Sequence, residues 1–525
     1  MSATDPVSAA REDDAPRHVR VAVVGAGFSG LAMAGRLRRQ GETSLVVLER
    51  ADEVGGTWRE NTYPGAACDI RSDLYSLSFA PNPAWTSLFA GQAEIKAYLE
   101  RTVDDLGLRP YLQLSTDVVR ATWDDEAALW RVRTDRGSWT AEALICGAGP
   151  LVQPRWPIVP GLESFAGPRL HSAAWDHDVD LTGVRVGVIG TGASAVQLVP
   201  HVARRAQHLK VFQRSAPWVV PRHDRGTSVL RRAAFARAPW LQRLSRQRVF
   251  RRNDLTHLAL AHAWLGRRLE RLVLASMHRR IDDPDLRRAL TPGYRLGCKR
   301  ILVSDEYYPA LTRDDVDLVT DAITAVTATG LTTADGTRHA LDVLVCSTGF
   351  VATDPPVSHL VVGRDGRTLA QHWAETGMQA LRGTTVAGFP SFVYLVGPNT
   401  ALGHNSIVEI IEAQVSYVLQ ALDRASDGLR PGERAVLEPT VHAQQAWTER
   451  VQADLAGSVW VTGGCTSFYL DDRGRNTTLW PRRAAAFRRA LRRVDPAEHH
   501  RRVVRSAGAA TPPTAEAGRA AVHVP

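Results

Sequence analysis

The sequence predicts an α/β protein of two Rossmann-like units joined to a helical insertion, on three observations. Two glycine-rich turns each follow a short apolar run and open a helical stretch, the order of elements in a strand–helix–strand unit. Residues 222–290 instead place Leu, Ala and Arg at helical spacing with little Gly and only two prolines, Pro239 and Pro284. The chain, 525 residues with 44% hydrophobic and 23% charged residues, is long and apolar enough for several cored domains.

In chain order, Val21–Gly25 reads as a strand buried on both faces, Phe28 to about Gln40 as its helix, and Ser44–Glu49 as the second strand. The second unit repeats this at Val184–Ile189, Ala193–Ala206 and His208–Gln213. Apolar runs ending in Cys146-Gly-Ala-Gly-Pro150 and Cys346-Ser-Thr-Gly-Phe350 read as strand ends that turn on glycine. The expected division is a first domain from 18–150 plus 385–494, a second from 151–221 plus 298–384, and the helical insertion at 222–297. The ends, 1–17 and 495–525, lack periodicity and are expected to be disordered.

Net charge is +9, but 222–290 alone holds seventeen arginines against six acids and 481–525 ten against three. The basic balance is thus local, and with no aromatic-basic groove pattern to support either nucleic acid or an acidic membrane it reads as surface charge; no nucleic-acid partner is expected. Residues 1–17 have no signal-peptide core and no run approaches 18 apolar residues, so neither secretion nor a membrane span is expected, and the setting reads as cytoplasmic. Five widely spaced cysteines, 68, 146, 298, 346 and 465, read as reduced thiols. No metal site is expected.

Gly25-Ala-Gly27-Phe-Ser-Gly30 is a dinucleotide fingerprint: small residues permit the turn, the approach of backbone N–H groups to a pyrophosphate, and close helix packing. Glu49, at the end of the second strand, can accept hydrogen bonds from ribose hydroxyls. The second turn is Gly190-Thr-Gly192-Ala-Ser-Ala195, and where the first unit has an acid it has Arg214-Ser215. A guanidinium and a hydroxyl suit a 2′-phosphate, which an acid would repel. The first unit therefore reads as an FAD site and the second as an NADPH site. With no CxxC pair for a disulfide reductase, O₂ is the leading electron acceptor.

Two further motifs carry a family resemblance. Phe165-Ala-Gly167-Pro-Arg-Leu-His171-Ser-Ala-Ala-Trp175-Asp176 resembles the FxGxxxHxxxW(P/D) fingerprint of the type I Baeyer–Villiger monooxygenases, Asp176 standing where many members have Pro. Gly55-Gly56-Thr-Trp58-Arg-Glu-Asn-Thr-Tyr63-Pro-Gly65-Ala-Ala-Cys-Asp69 is similar to their upstream signature. The likeness runs through Gly297-Cys-Lys-Arg300, Gly397-Pro-Asn399 and Gly474-Arg-Asn476, covering about residues 20–490. It implies two half-reactions: NADPH reduces FAD, and a peroxyflavin formed with O₂ converts a ketone to an ester or lactone. Arg300 then corresponds to the active-site arginine and Asp69 to the acid that orients it. His171, with Phe165, Gly167, Trp175 and Asp176, would link the domains rather than touch substrate, while Gly56, Trp58 and Asn399 are cofactor-binding candidates. A flavin monooxygenase that oxidises S or N atoms, and a catalytically silent flavin-binding regulator, are the alternatives.

Overall fold

A computed structural model describes residues 15–505 except 352, 466, 468 and 472. The first sheet has eight strands. Arg17–Val24 lies at its centre, parallel to Leu45–Leu48 on one side and to Gly137–Cys146 on the other. Val21, Ala22 and Val23 are fully buried, as an apolar run covered on both faces must be. Gly137–Cys146 also carries the hairpin partner Leu129–Thr134 and, at its far end, the late strand Phe392–Tyr394. Helix Phe28–Arg39 covers one face, packing against Gln92–Asp105 and Ile407–Ser426. The opposite face holds Trp130, Phe389 and Phe392.

The second sheet is wholly parallel, in the order Val316–Val319, His208–Phe212, Arg185–Ile189, Val343–Cys346, Arg169–His171. Helix Ala193–Ala203 packs on it through Val196, Leu198, Val199 and Val202. A parallel pair, Val219–Val220 with Leu302–Val303, brackets the insertion at its base. Within it run helices Val229–Arg237, Pro239–Ala261, Ala263–His278 and Pro284–Ala289. The insertion reaches back to the first unit: Arg231 pairs with Asp73 at 2.6 Å, and Arg246 with Glu409 at 2.6 Å.

Three expectations are corrected. The chain returns to the first sheet before residue 385: Val361–Val362 pairs with Ala121 and Thr122, and Leu369 and Trp373 join the core around Trp130. A two-residue edge strand gives too little periodicity to be seen in sequence. The tail from 495 is ordered at least to Arg505, because His499–Arg505 pairs antiparallel with Glu433–Pro439. That strand is mostly exposed and is held by its ladder and by ion pairs such as Arg502–Asp125 (2.6 Å), so it shows no apolar alternation. The remainder of both tails, 1–14 and 506–525, lies outside the described residues.

The third correction is to the thiols. Cys298 and Cys465, 167 residues apart, form a disulfide, while Cys68, Cys146 and Cys346 are free and buried. Spacing cannot reveal such a pair, because only the fold decides which distant cysteines meet. Burial pushes the Cys146 and Cys346 thiols up to about 12, which makes them poor nucleophiles. Alkylation of denatured, unreduced protein should therefore block three thiols per chain, and five after reduction. Five in both measurements would contradict the pairing.

Candidate active site

The two glycine turns are shaped by close backbone approach. A Cβ at Gly30 would lie 1.8 Å from the carbonyl oxygen of Gly25, so no side chain is tolerated where the first helix meets its strand. Gly27 faces Gly56 across the turn, its Cβ position 3.5 Å from the Gly56 Cα. The helix after Gly27 has neither a side-chain cap nor an acid in its first turn. Its N-terminal N–H groups thus point toward the turn without a carboxylate competing for them, which fits a pyrophosphate. Glu49 is buried at the second strand's end, where its carboxylate accepts from the Ala26 N–H (2.7 Å) and the Ala51 N–H (3.0 Å). Those bonds fix the acid beside the turn, as a ribose contact requires.

The second turn matches this arrangement. Gly190 and Gly192 end strand Arg185–Ile189, Gly192 is the uncapped start of the next helix, and Ala195 is buried in that helix against the sheet. Arg214 is exposed at the end of the neighbouring strand. Ser215 beside it accepts from Lys299, whose ammonium lies 2.8 Å from the Ser215 hydroxyl and 4.8 Å from the centre of the Tyr294 ring. Burial, and then the charge of Arg214, depress the Lys299 pKa below the ordinary lysine value. Two cations so placed are mutually repulsive, and an anion with the charge of a phosphate relieves that. The residues at both turns therefore fit the dinucleotides expected there. Sequence reasoning missed Lys299 as a member of this cluster; its only signal was its place beside Arg300.

Arg300 and Asp69, 231 residues apart in sequence, meet between the units. Arg300 Nε donates to Asp69 Oδ2 at 2.9 Å and Nη2 donates to the same oxygen. The Asp69 carboxylate holds the guanidinium pKa above its ordinary value. The Arg300 side chain remains 41% exposed and that of Asp69 24%, so the pair stands at an accessible surface.

The loop that carries Asp69 is fastened to the second unit. Gln197, on helix Ala193–Ala203, accepts from the Tyr63 hydroxyl (2.8 Å) and donates to the Ala67 carbonyl (2.9 Å). Gly65 has φ +84° and packs so tightly that a Cβ would lie 2.4 Å from the His201 ring. Arg222 adds a bond to the Cys68 carbonyl at 3.2 Å. On the Arg300 side, the Arg295 N–H donates to the Gly463 carbonyl at 3.0 Å, and the Cys298–Cys465 disulfide ties the same two segments together. Tyr469, buried, lies within electrostatic reach of Arg300. Gln197 and Tyr469 lie in none of the motifs read from the sequence, and only their placement reveals them.

Trp58 donates its indole N–H to the hydroxyl of half-buried Tyr75 at 3.0 Å, with the two rings edge to face. Asn399 is buried with φ +55°, and its amide donates to the carbonyls of Asn476 (2.8 Å) and Leu479 (3.1 Å). That side chain thus joins the Gly397-Pro-Asn399 and Gly474-Arg-Asn476 motifs to each other. Among the described residues, no hydrogen bond or ion pair joins the fingerprint residues to Arg300. Phe165 is in the core beside Ile189 and Phe212, and Gly167 lies where a Cβ would be 2.2 Å from the Asp342 carbonyl. His171, buried on the edge strand of the second sheet, accepts at Nδ1 from the Ala173 N–H (3.0 Å) and packs 5.2 Å from Trp156 in the segment linking the two sheets. Burial lowers its pKa. Trp175 packs against the second core, and Asp176 is exposed, accepting from the Asp178 N–H.

Residues 18–364 match the flavin-binding monooxygenase-like family. The chain is 49% identical over 491 residues to a Baeyer–Villiger monooxygenase of Streptomyces coelicolor, covering 93% of this chain and 94% of that one. It is 44% identical to a Baeyer–Villiger monooxygenase of Pseudomonas aeruginosa, covering 93% and 92%. Among solved structures, an oxidised steroid monooxygenase bound to NADP superposes with a TM-score of 0.80 at 32% identity, covering 90% of this chain and 97% of that one. With two glycine turns, a cation pair at the second and an arginine–aspartate pair between them, this chain belongs to the Baeyer–Villiger branch of the flavin-binding monooxygenases, which use FAD and NADP.

Proposed function

We propose that the protein uses NADPH and O₂ to convert a ketone to an ester or lactone, with water and NADP⁺ as the other products. The observation that carries this reading is the Arg300–Asp69 pair, formed at an accessible surface between the two units. When bound, FAD reduced by NADPH supplies the oxygen-activating chemistry. The first turn and Glu49 hold the FAD; the second turn, Arg214, Ser215 and Lys299 hold the NADPH. Arg300 presents a permanent positive charge to the oxyanion that forms when the ketone carbonyl is attacked, and Asp69 fixes the direction of the guanidinium. His171 and its fingerprint partners stiffen the link between the sheets, a positioning role.

The coenzyme assignment predicts an electrostatic preference. A charge-assisted contact to the 2′-phosphate contributes roughly 1.5–3 kcal/mol, on the order of a tenfold to hundredfold preference for NADPH over NADH. Arg214→Ala and Lys299→Ala should each weaken NADPH binding by about that factor and leave NADH nearly unchanged; equal loss of both coenzymes would contradict the assignment. The depressed Lys299 pKa adds a pH dependence. Its cation is present below that pKa and lost above it, so the preference for NADPH should decline with rising pH before an ordinary lysine would titrate. Lys299→Arg should flatten the profile.

For Arg300, removing the charge should leave FAD content unchanged and cut ester formation by on the order of 10²–10³. NADPH oxidation should continue, its electrons leaving as hydrogen peroxide. Ester, peroxide and NADPH measured together for Arg300→Ala test this, and a normal ester yield would refute the role. A thioether oxidised in place of the ketone by the unaltered protein would favour heteroatom oxidation instead.

A further inference from the structure

The helical insertion carries a surface that the reaction does not use. Along helix Pro239–Ala261, Trp240, Leu244, Arg248, Arg251, Leu255 and Leu258 recur every three or four residues and therefore share one stripe. All six are exposed, Trp240 to 63%. The opposite side of the helix faces protein: Gln242 donates to the Asn82 carbonyl at 2.7 Å, Arg246 donates to the Ser76 carbonyl at 2.6 Å, and Val249 is buried. Helix Ala263–His278 packs beside it and exposes Trp264 (60%), Arg267, Arg268, Arg271 and Leu272 (67%). Eight of the fifteen large apolar residues exposed among the described residues fall between 229 and 272, a clustering that scattered surface residues do not produce.

The charge on this surface is one-sided. Residues 226–280 hold thirteen arginines and two acids. Both acids turn inward, Asp254 to Arg483 and Glu270 to Arg295 (2.6 Å). Of the arginines, Arg231, Arg246 and Arg280 pair with Asp73, Glu409 and Asp305, whereas Arg243, Arg248, Arg251, Arg267, Arg268 and Arg271 have no acidic partner among the described residues. A second copy of this face would be repelled by like charge. Nucleic acid would satisfy the guanidinium groups but offers nothing to Leu244, Leu255, Leu258 and Leu272, which cannot stack on bases. An anionic lipid surface satisfies both sets: phosphate headgroups for the arginines, and the headgroup–acyl boundary for tryptophan and leucine. No helix among the described residues is long and apolar enough to cross a membrane, so the contact would be peripheral. We propose that the helical insertion docks the protein on anionic membranes through the Trp240–Leu258 stripe and the exposed side of the following helix. This does not depend on the reaction proposed above.

The test is co-sedimentation of the FAD-loaded protein with vesicles of pure phosphatidylcholine, or of phosphatidylcholine with about one quarter phosphatidylglycerol. Binding should require the anionic lipid and fall at least tenfold between about 0.1 M and about 0.5 M salt. R248Q/R251Q/R268Q should weaken it on the order of a hundredfold, about fivefold per charge. W240A/W264A should weaken it about tenfold with the salt dependence kept. Both variants should retain FAD and NADPH oxidation, which shows that they fold. Equal binding to the two vesicle types, no binding to the anionic ones, or binding that both variants leave intact would overturn the proposal. Tighter binding to single-stranded DNA than to vesicles, or a lipid-free dimer that W240A/W264A dissociates, would overturn it in favour of those partners.

Discussion

The place of Arg300 against Asp69 is set by contacts that cross from one nucleotide unit to the other, and the reacting geometry depends on them. The pair itself is too exposed to hold the units together: ion pairs in contact with water contribute about 0–1 kcal/mol. The fastening is done by its neighbours. Gln197 grips the loop on both sides of Gly65, and the tightness of that fit leaves no room for a side chain at that residue. On the other side the disulfide and the Arg295–Gly463 bond fix the segment from which Arg300 projects. The charge of Asp69 outweighs the desolvation that opposes the guanidinium, so Arg300 stays a cation, as the role proposed for it toward an oxyanion requires.

The same logic runs through the second turn. Lys299 and Arg300 are adjacent in sequence yet turn apart: Lys299 to Ser215, beside Arg214, and Arg300 to Asp69. In the reading proposed above, one short segment couples the coenzyme's phosphate to the charge that meets the substrate. Burial, and then the nearness of Arg214, cost Lys299 part of its basicity, the arrangement of a site built for an anion rather than for stability.

Much of this was legible in the chain because it is local. A glycine turn between an apolar run and a helix needs only a dozen neighbouring residues to be recognised, and an acid or an arginine at the end of the next strand lies within the same unit. Arg300 and Asp69 stood out through motifs, although only the fold brings them together. What escaped depends on distant partners. Lys299 meets Ser215 across 84 residues, and Cys298 meets Cys465 across 167. Strand His499–Arg505 escaped because it is exposed along most of its length, so its order comes from the ladder with Glu433–Pro439 and not from a buried face. The arginines of the insertion read in sequence as ordinary surface charge; the interleaved stripe of tryptophan and leucine becomes visible only once the buried side of the helix is known.

If Asp69 acts only by orienting Arg300, the two residues form one functional unit. The most direct measurement is a double-mutant cycle on ester formed per NADPH consumed, using Asp69→Asn, Arg300→Gln and the double variant, each checked for full FAD content. Residues that act as a unit are strongly non-additive, so the double variant should be no worse than Arg300→Gln alone. Losses that multiply would mean that Asp69 works on the substrate or coenzyme independently of Arg300, and would contradict the account.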